Sequence, residues 1–211
     1  VTAAARITAD ACGASAGSGA RWLACLPLAH VGGFSVITRA LIAGAELQVS
    51  NGADAERIDA AARAGATHVS LVPTLLGRID PSLWQLILLG GSAIPPERPA
   101  NTVATYGMTE TFGGVVYDGR ALDGIEMRID ADGAISLRSP TLLRSYRGGP
   151  LDRTTPVDAE GWYATGDIGA IDDDGTRPLE ALRAQCEELM EAFGIRDQDL
   201  LAVSYSDLLR G

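Results

Sequence analysis

An α/β fold with a mostly parallel sheet, flanking helices and a small antiparallel β subdomain is what this sequence predicts, on three observations. Short apolar runs recur at 21–26, 47–49, 67–72, 84–89 and 102–105, the texture of short buried strands. Stretches of helical composition at 34–43 and 54–64 separate the first three, so strand and helix alternate at the close spacing of layered α/β folds. Beyond residue 118 the texture changes to 125–129 and 134–138 around Asp130-Ala131-Asp132-Gly133, the pattern of a hairpin.

The elements follow in order. Residues 1–11 suit a helix, and 13–19 form a small-residue turn. Gly13-Ala14-Ser15-Ala16-Gly17 spells the serine-hydrolase elbow G-x-S-x-G, but that elbow needs a strand before it and a helix after it, and here it sits in a loop. The run 21–26 ends at Pro27, and His30-Val31-Gly32-Gly33 leads into the helix at 34–43. Asp54 is a natural N-cap for the helix at 54–64, with Gly65 past its end. Pro73 closes the strand at 67–72; a short helix and turn over 74–81 lead to the strand at 84–89. Pro95 to Pro99 is a rigid break. Trp162-Tyr163 and 168–171 continue the hairpin, and Asp172-Asp173-Asp174-Gly175 reads as a turn because a calcium loop would need its glutamate in another register. Leu179, Leu182, Cys186, Leu189, Met190 and Phe193 share one helical face, with Gly194 as stop and 200–203 as a last strand. The expected division is an acyl- and nucleotide-binding α/β subdomain at 1–117, a small β subdomain at 118–177 and a helical tail at 178–211.

Composition narrows the class. The 211 residues, 46% hydrophobic and 21% charged, suffice for a genuine core. No apolar run approaches the ~20 residues of a membrane helix, and the first residues lack the basic start and apolar block of a signal peptide. A net charge of −10 argues against nucleic-acid or anionic-membrane partners. Cys12, Cys25 and Cys186 are widely spaced and odd in number, which reads as reduced thiols in a cytoplasm. All 17 basic residues are arginine.

The most informative stretch is Tyr106-Gly107-Met108-Thr109-Glu110-Thr111, between the apolar 86–89 run with its Gly90-Gly91-Ser92-Ala93 loop and Gly113 to Tyr117. Glycine admits close backbone approach to a nucleotide, hydroxyls donate to phosphate oxygens, and a carboxylate suits Mg²⁺. Taken alone, the hexapeptide fits an ordinary turn equally well.

Four stretches together identify a resemblance: Leu26-Pro27-Leu28-Ala29-His30-Val31-Gly32-Gly33; the run from Thr67 to Thr74 continuing to Leu88-Leu89-Gly90-Gly91-Ser92-Ala93-Ile94-Pro95; the central hexapeptide; and Gly161-Trp162-Tyr163-Ala164-Thr165-Gly166-Asp167. In order and rough spacing over about 20–175 they resemble the adenylate-forming enzymes (acyl-CoA synthetases, luciferases, peptide-synthetase adenylation domains), and within these the o-succinylbenzoate–CoA ligases of menaquinone synthesis. The resemblance implies an acid–thiol ligase using ATP, which becomes AMP in the acyl-adenylate, together with Mg²⁺ and coenzyme A. It assigns Gly90, Gly91, Ser92 and Ala93 to the loop lining the adenine and acyl pockets. Tyr106 resembles the aromatic stacking on adenine, with Gly107 and Met108 beside it; Thr109 the α-phosphate contact; Glu110 the Mg²⁺ ligand; Asp167 the ribose grip; and His30 the mouth of the acyl pocket. Each has a plainer reading: Tyr106 as a core aromatic, Glu110 as a solvated carboxylate, Asp167 as a turn former, His30 and His68 as structural.

The resemblance breaks in places. The family uses a lysine-bearing phosphate loop, expected just upstream of Val1, and a lysine in a C-terminal domain; no lysine is present to fill either role, and arginine is not its equivalent. The pattern ends at Thr176-Arg177-Pro178, where an Arg- and Asp-bearing hinge is expected. Two alternatives therefore stand beside the ligase: a non-catalytic nucleotide- or acyl-adenylate-binding relative or fragment, and, distantly, a serine hydrolase using Ser15. Apolar edges left by short segments would favour a homo-oligomer.

Overall fold

The computed structural model describes residues 1–148 and 156–169. Strands β1 (Arg21–Ala24), β2 (Glu46–Val49), β3 (His68–Leu71), β4 (Leu86–Leu89) and β5 (Thr102–Met108) form a parallel sheet in the order β2-β1-β3-β4-β5. Antiparallel β6 (Gly113–Tyr117) and β7 (Arg120–Ala121) extend it beyond β5. Helices α1 (Thr2–Ala11), α2 (Val31–Ala43), α3 (Ala55–Arg63) and the single turn α4 (Pro73–Leu76) accompany it, and β8 (Glu126–Ile129), β9 (Ala134–Arg138) and β10 (Tyr163–Ile168) make a separate antiparallel sheet. This is the α/β fold expected, mostly parallel with a small antiparallel sheet. The expected helix and strand beyond residue 178 lie outside the described residues.

Strand order explains the layering. From β1 through α2 the chain steps outward to β2, then through α3 it steps back across β1 to β3. The right-handed preference of parallel crossovers sends two helices that step in opposite directions to opposite faces. Accordingly Ile58, Ala61 and Ala62 of α3 pack with Leu23, Val69, Leu71, Ile87 and Leu89, while Val36 and Ala40 of α2 pack with Trp22, Ala24, Leu88 and Tyr117. Adjacent strand residues thus serve different cores, and a strand covered on both faces reads as an unbroken apolar run. A third cluster of Met108, Val115, Val116, Ile125, Ile135, Leu137 and Tyr163 lies under the small sheet.

Some boundaries differ from expectation. Helix α2 starts at Val31, taking in both glycines, because the backbone there runs against the preceding turn: a Cβ on Gly33 would fall 2.4 Å from the Pro27 carbonyl oxygen. Strand β4 starts at Leu86, since residues 81–83 form a 3-10 turn capped by the Asp80 side chain. The central hexapeptide is half strand: β5 runs through Met108 before a 3-10 turn at Thr109–Thr111. Asp54 caps α3 as expected, accepting the Arg57 N–H at 3.0 Å. Ser15 lies exposed between a helix and a strand, the reverse of the elbow's order. Among the described residues no helix is long and apolar enough to cross a membrane.

The two glycines of α2 make a controlled pair. Gly33→Ala should cost about 1–3 kcal/mol by overpacking. Gly32→Ala, whose Cβ would meet only Leu26 Cδ1 at 3.8 Å, should be neutral or stabilise by up to about 1 kcal/mol. Urea unfolding midpoints of the two variants check the contrast.

Candidate functional site

The ends of the parallel strands bring the family-like stretches to one edge. His30 follows β1 as the exposed N-cap residue of α2, Pro73 follows β3, the 90–93 loop follows β4, and the Thr109–Thr111 turn follows β5. This carboxyl edge is where open parallel sheets bind ligands. Gly90 stays close to β5, because a Cβ there would lie 2.7 Å from Thr105 Oγ1, which itself donates to the Leu89 carbonyl at 2.8 Å. Gly91, Ser92 and Ala93 are exposed. Helix α2 reaches the β5 turn through Phe34, whose ring meets that of Phe112 at 5.9 Å, nearly perpendicular. Phe112 holds a left-handed backbone at φ 56°, a strained conformation for so bulky a residue.

The turn is self-supporting. Thr111 is fully buried; its hydroxyl accepts the Met108 N–H at 3.0 Å and donates to the Gly113 carbonyl at 2.7 Å. It therefore stitches the turn together, so of the two threonines only Thr109, which is exposed, offers its side chain outward. The Met108 side chain is buried in the third core cluster. Gly107 is exposed, and its missing Cβ makes room for β6: a methyl there would lie 2.1 Å from the Gly113 carbonyl oxygen.

Tyr106 and Asp167 meet, with Glu110 near them. The Tyr106 hydroxyl donates to Asp167 Oδ2 at 2.6 Å, joining the large sheet to the small one. The Asp167 N–H donates to Thr165 Oγ1 at 3.1 Å, and Thr165 donates to the Ile135 carbonyl at 2.9 Å, which fixes the end of β10. Burial pushes the Asp167 carboxyl above its ordinary value; the Tyr106 hydrogen bond opposes this and the nearby Glu110 charge adds to it. Burial, then the Asp167 charge, pushes the Tyr106 phenol up. Glu110 is 8% exposed and accepts from the Tyr146 hydroxyl at 3.0 Å. No group of three or more His, Cys, Asp or Glu side chains could cage a metal among the described residues. Mg²⁺ held by one carboxylate, phosphate oxygens and water needs no such cage, and Glu110 with the Thr109 hydroxyl beside it fits that donor set.

Sequence reasoning missed two features. Tyr146 carried no motif of its own. Arg39 lies in α2 beside Ser35, Val36 and Ala40, on the helix's buried face, at 3% exposure; a charge among these positions was the available signal. Its Nε donates to Thr8 Oγ1 at 3.0 Å and its guanidinium sits 4.6 Å from the Trp22 ring centroid, but Nη1 has no hydrogen-bond partner among the described residues. No carboxylate among the described residues lies in ion-pair range of it. His68 is a packing histidine, tilted against Trp22 at 5.0 Å and bonded to Thr67 Oγ1 at 2.8 Å, with burial lowering its pKa.

The Asp167 environment has a measurable pH consequence. A carboxyl raised in the folded state contributes its full stability below the unfolded value, near 3.8, and loses it as pH rises through the folded value. Asp167→Asn removes the ionisation. Its unfolding free energy should therefore exceed that of the wild type at pH 7, and the gap should close as pH falls toward 3.8; urea unfolding across pH 3–8 reads the difference.

Comparison with known proteins bears on the whole arrangement. The chain is 36% identical over 204 residues to a probable 2-succinylbenzoate–CoA ligase of Mycobacterium tuberculosis strain CDC 1551, covering 85% of this chain and 52% of the relative. It therefore spans about half the length of that protein. Among solved structures, it superimposes on o-succinylbenzoate CoA synthetase (MenE) of Bacillus subtilis bound to its product analogue OSB-NCoA with a TM-score of 0.72 at 25% identity, covering 82% of this chain and 42% of that one. The same enzyme in complex with ATP and magnesium ion gives 0.70 at 25% identity, with coverage of 82% and 53%. The family model described as AMP-binding enzyme matches residues 1–143. With that match across more than half its length, and the strand-end loops in the order described above, the chain belongs to the AMP-binding enzyme family.

Proposed function

We propose that this chain forms the nucleotide- and acid-binding part of an acid–thiol ligase, which activates a carboxylic acid with ATP to an acyl-adenylate and passes the acyl group to coenzyme A. The best candidate for the acid is o-succinylbenzoate. The observation that carries the reading is the contact of the Tyr106 hydroxyl with Asp167 at 2.6 Å, with Glu110 close enough for its charge to act on Asp167. Tyr106 offers an aromatic face to adenine, and Asp167 accepts from ribose hydroxyls. Thr109 donates to the α-phosphate. Carboxylate and phosphate repel as they approach, and Mg²⁺ supplies the charge neutralisation that makes attack on phosphorus feasible. Glu110 would hold it. The loop at 90–93 borders both pockets.

The acid pocket falls at the crevice between β1 and β3, where the sheet's order reverses. His30 stands on its β1 side and Pro73 and Thr74 on its β3 side. Partners in this reading are small molecules in the cytoplasm, not nucleic acid or membrane. The exposed Leu41 and Val49 flanking the β2 edge support self-association, which light scattering checks.

A second reading, a relative or fragment that binds nucleotide or an acyl-adenylate without turnover, stands for these 211 residues because they contain no lysine. Pyrophosphate release from ATP with o-succinylbenzoate by the full-length protein separates the two: release supports the ligase, and nucleotide binding without release supports the second. AMP titration tests the site in either case. Tyr106→Ala and Asp167→Ala should each weaken AMP by about tenfold or more, as loss of a stacked ring or a charged hydrogen bond does; unchanged affinity in both sinks the placement.

A further inference from the structure

A carboxylate that binds a cation has to be held in one orientation, and two contacts from the segment after β9 clamp Glu110. The Leu143 N–H donates to its main-chain carbonyl at 2.8 Å, and the Tyr146 hydroxyl donates to its Oε1 at 3.0 Å. Tyr146 also lies 3.3 Å from the hydroxyl of Tyr163, which is 5% exposed on β10. A phenol has one proton, and an ionised carboxylate only accepts. With the Tyr146 proton on Glu110, Tyr163 is the donor in the second contact. The chain of bonds then runs from Tyr163 to Tyr146 to Glu110, each polarising the next. The strand that carries Asp167 thereby also orients the carboxylate at the end of β5.

From this geometry we propose that Tyr146 is a positioning residue for the divalent cation that accompanies the nucleotide: its hydroxyl sets the orientation of the Glu110 carboxylate, and Tyr163 sets that of Tyr146. The inference rests on the reading of Glu110 as the cation's ligand. It adds to that reading a device by which the small sheet reaches the metal end of the site without touching the metal. Neither phenol contacts the reacting atoms.

The test is ATP binding by the full chain, measured calorimetrically with Mg²⁺ and again in EDTA, so that the metal-dependent gain in affinity is read as a ratio. In the wild type this ratio exceeds one, and Glu110→Gln collapses it. Tyr146→Phe keeps the ring and removes the hydroxyl; it should lower the ratio about tenfold, the order expected for one hydrogen bond to a charged group, with affinity in EDTA held within about twofold. A tyrosine that merely supported the fold would move both affinities together, and that result overturns the inference. Tyr163→Phe should lower the ratio less, and the double variant no further than Tyr146→Phe alone, since one phenol acts through the other; full additivity overturns the relay. An unchanged ratio in folded Tyr146→Phe, beside a collapsed one in Glu110→Gln, overturns the inference and spares the Glu110 reading. Should Tyr146→Phe fail to fold, Tyr163→Phe carries the test, and an unchanged ratio there is equally fatal. A Glu110→Gln ratio equal to wild type, or no gain with Mg²⁺ in the wild type, removes the cation reading and this inference with it.

Discussion

Strand β5 has to satisfy two neighbours of opposite direction, and the rest of the site follows from how it does so. Against β4 it pairs in parallel through Ala104; against β6 it pairs antiparallel from Thr105 to Met108. The register shifts between Tyr106 and Gly107, where Gly107 leaves room for the Gly113 backbone. Any side chain there would push β6 away. Closing that pair puts Thr111 inside the turn, Glu110 against the small sheet and Tyr106 within reach of Asp167.

The polar groups thus gathered are costly to bury. Asp167 is 6% exposed and keeps a raised pKa despite a short hydrogen bond, and Glu110 is 8% exposed. A core built for stability alone would replace such groups with apolar ones. Their burial, with strain at Phe112, fits a protein that trades stability for a functional site.

Much of the fold was legible because apolar runs and caps act locally. The strand at 67–72 and the capped helix from Asp54 sit where propensity and side-chain hydrogen bonding put them. Helix α2 was misjudged at its start because Gly32 and Gly33 look like breakers to any local rule, whereas the contact with Pro27 makes the second of them necessary. In the site, the motif spellings pointed to Tyr106 and Asp167 among others, and these two are hydrogen-bonded. The spelling does not distinguish the hydroxyls of Thr109 and Thr111; the second is an internal brace, since a hydroxyl's direction depends on which backbone groups surround it.

What the sequence by itself determined was the alternation of strand and helix, the change of texture beyond residue 118, the negative charge and the identity of the strand-end motifs. These depend on side-chain period and composition within windows of about 5–15 residues. Only the tertiary structure decided that Tyr146 reaches Glu110 and that Asp167 accepts from the Tyr106 hydroxyl of β5. Those are contacts between segments far apart in the chain. They exist because two sheets dock on one strand, and no local pattern encodes which faces will meet.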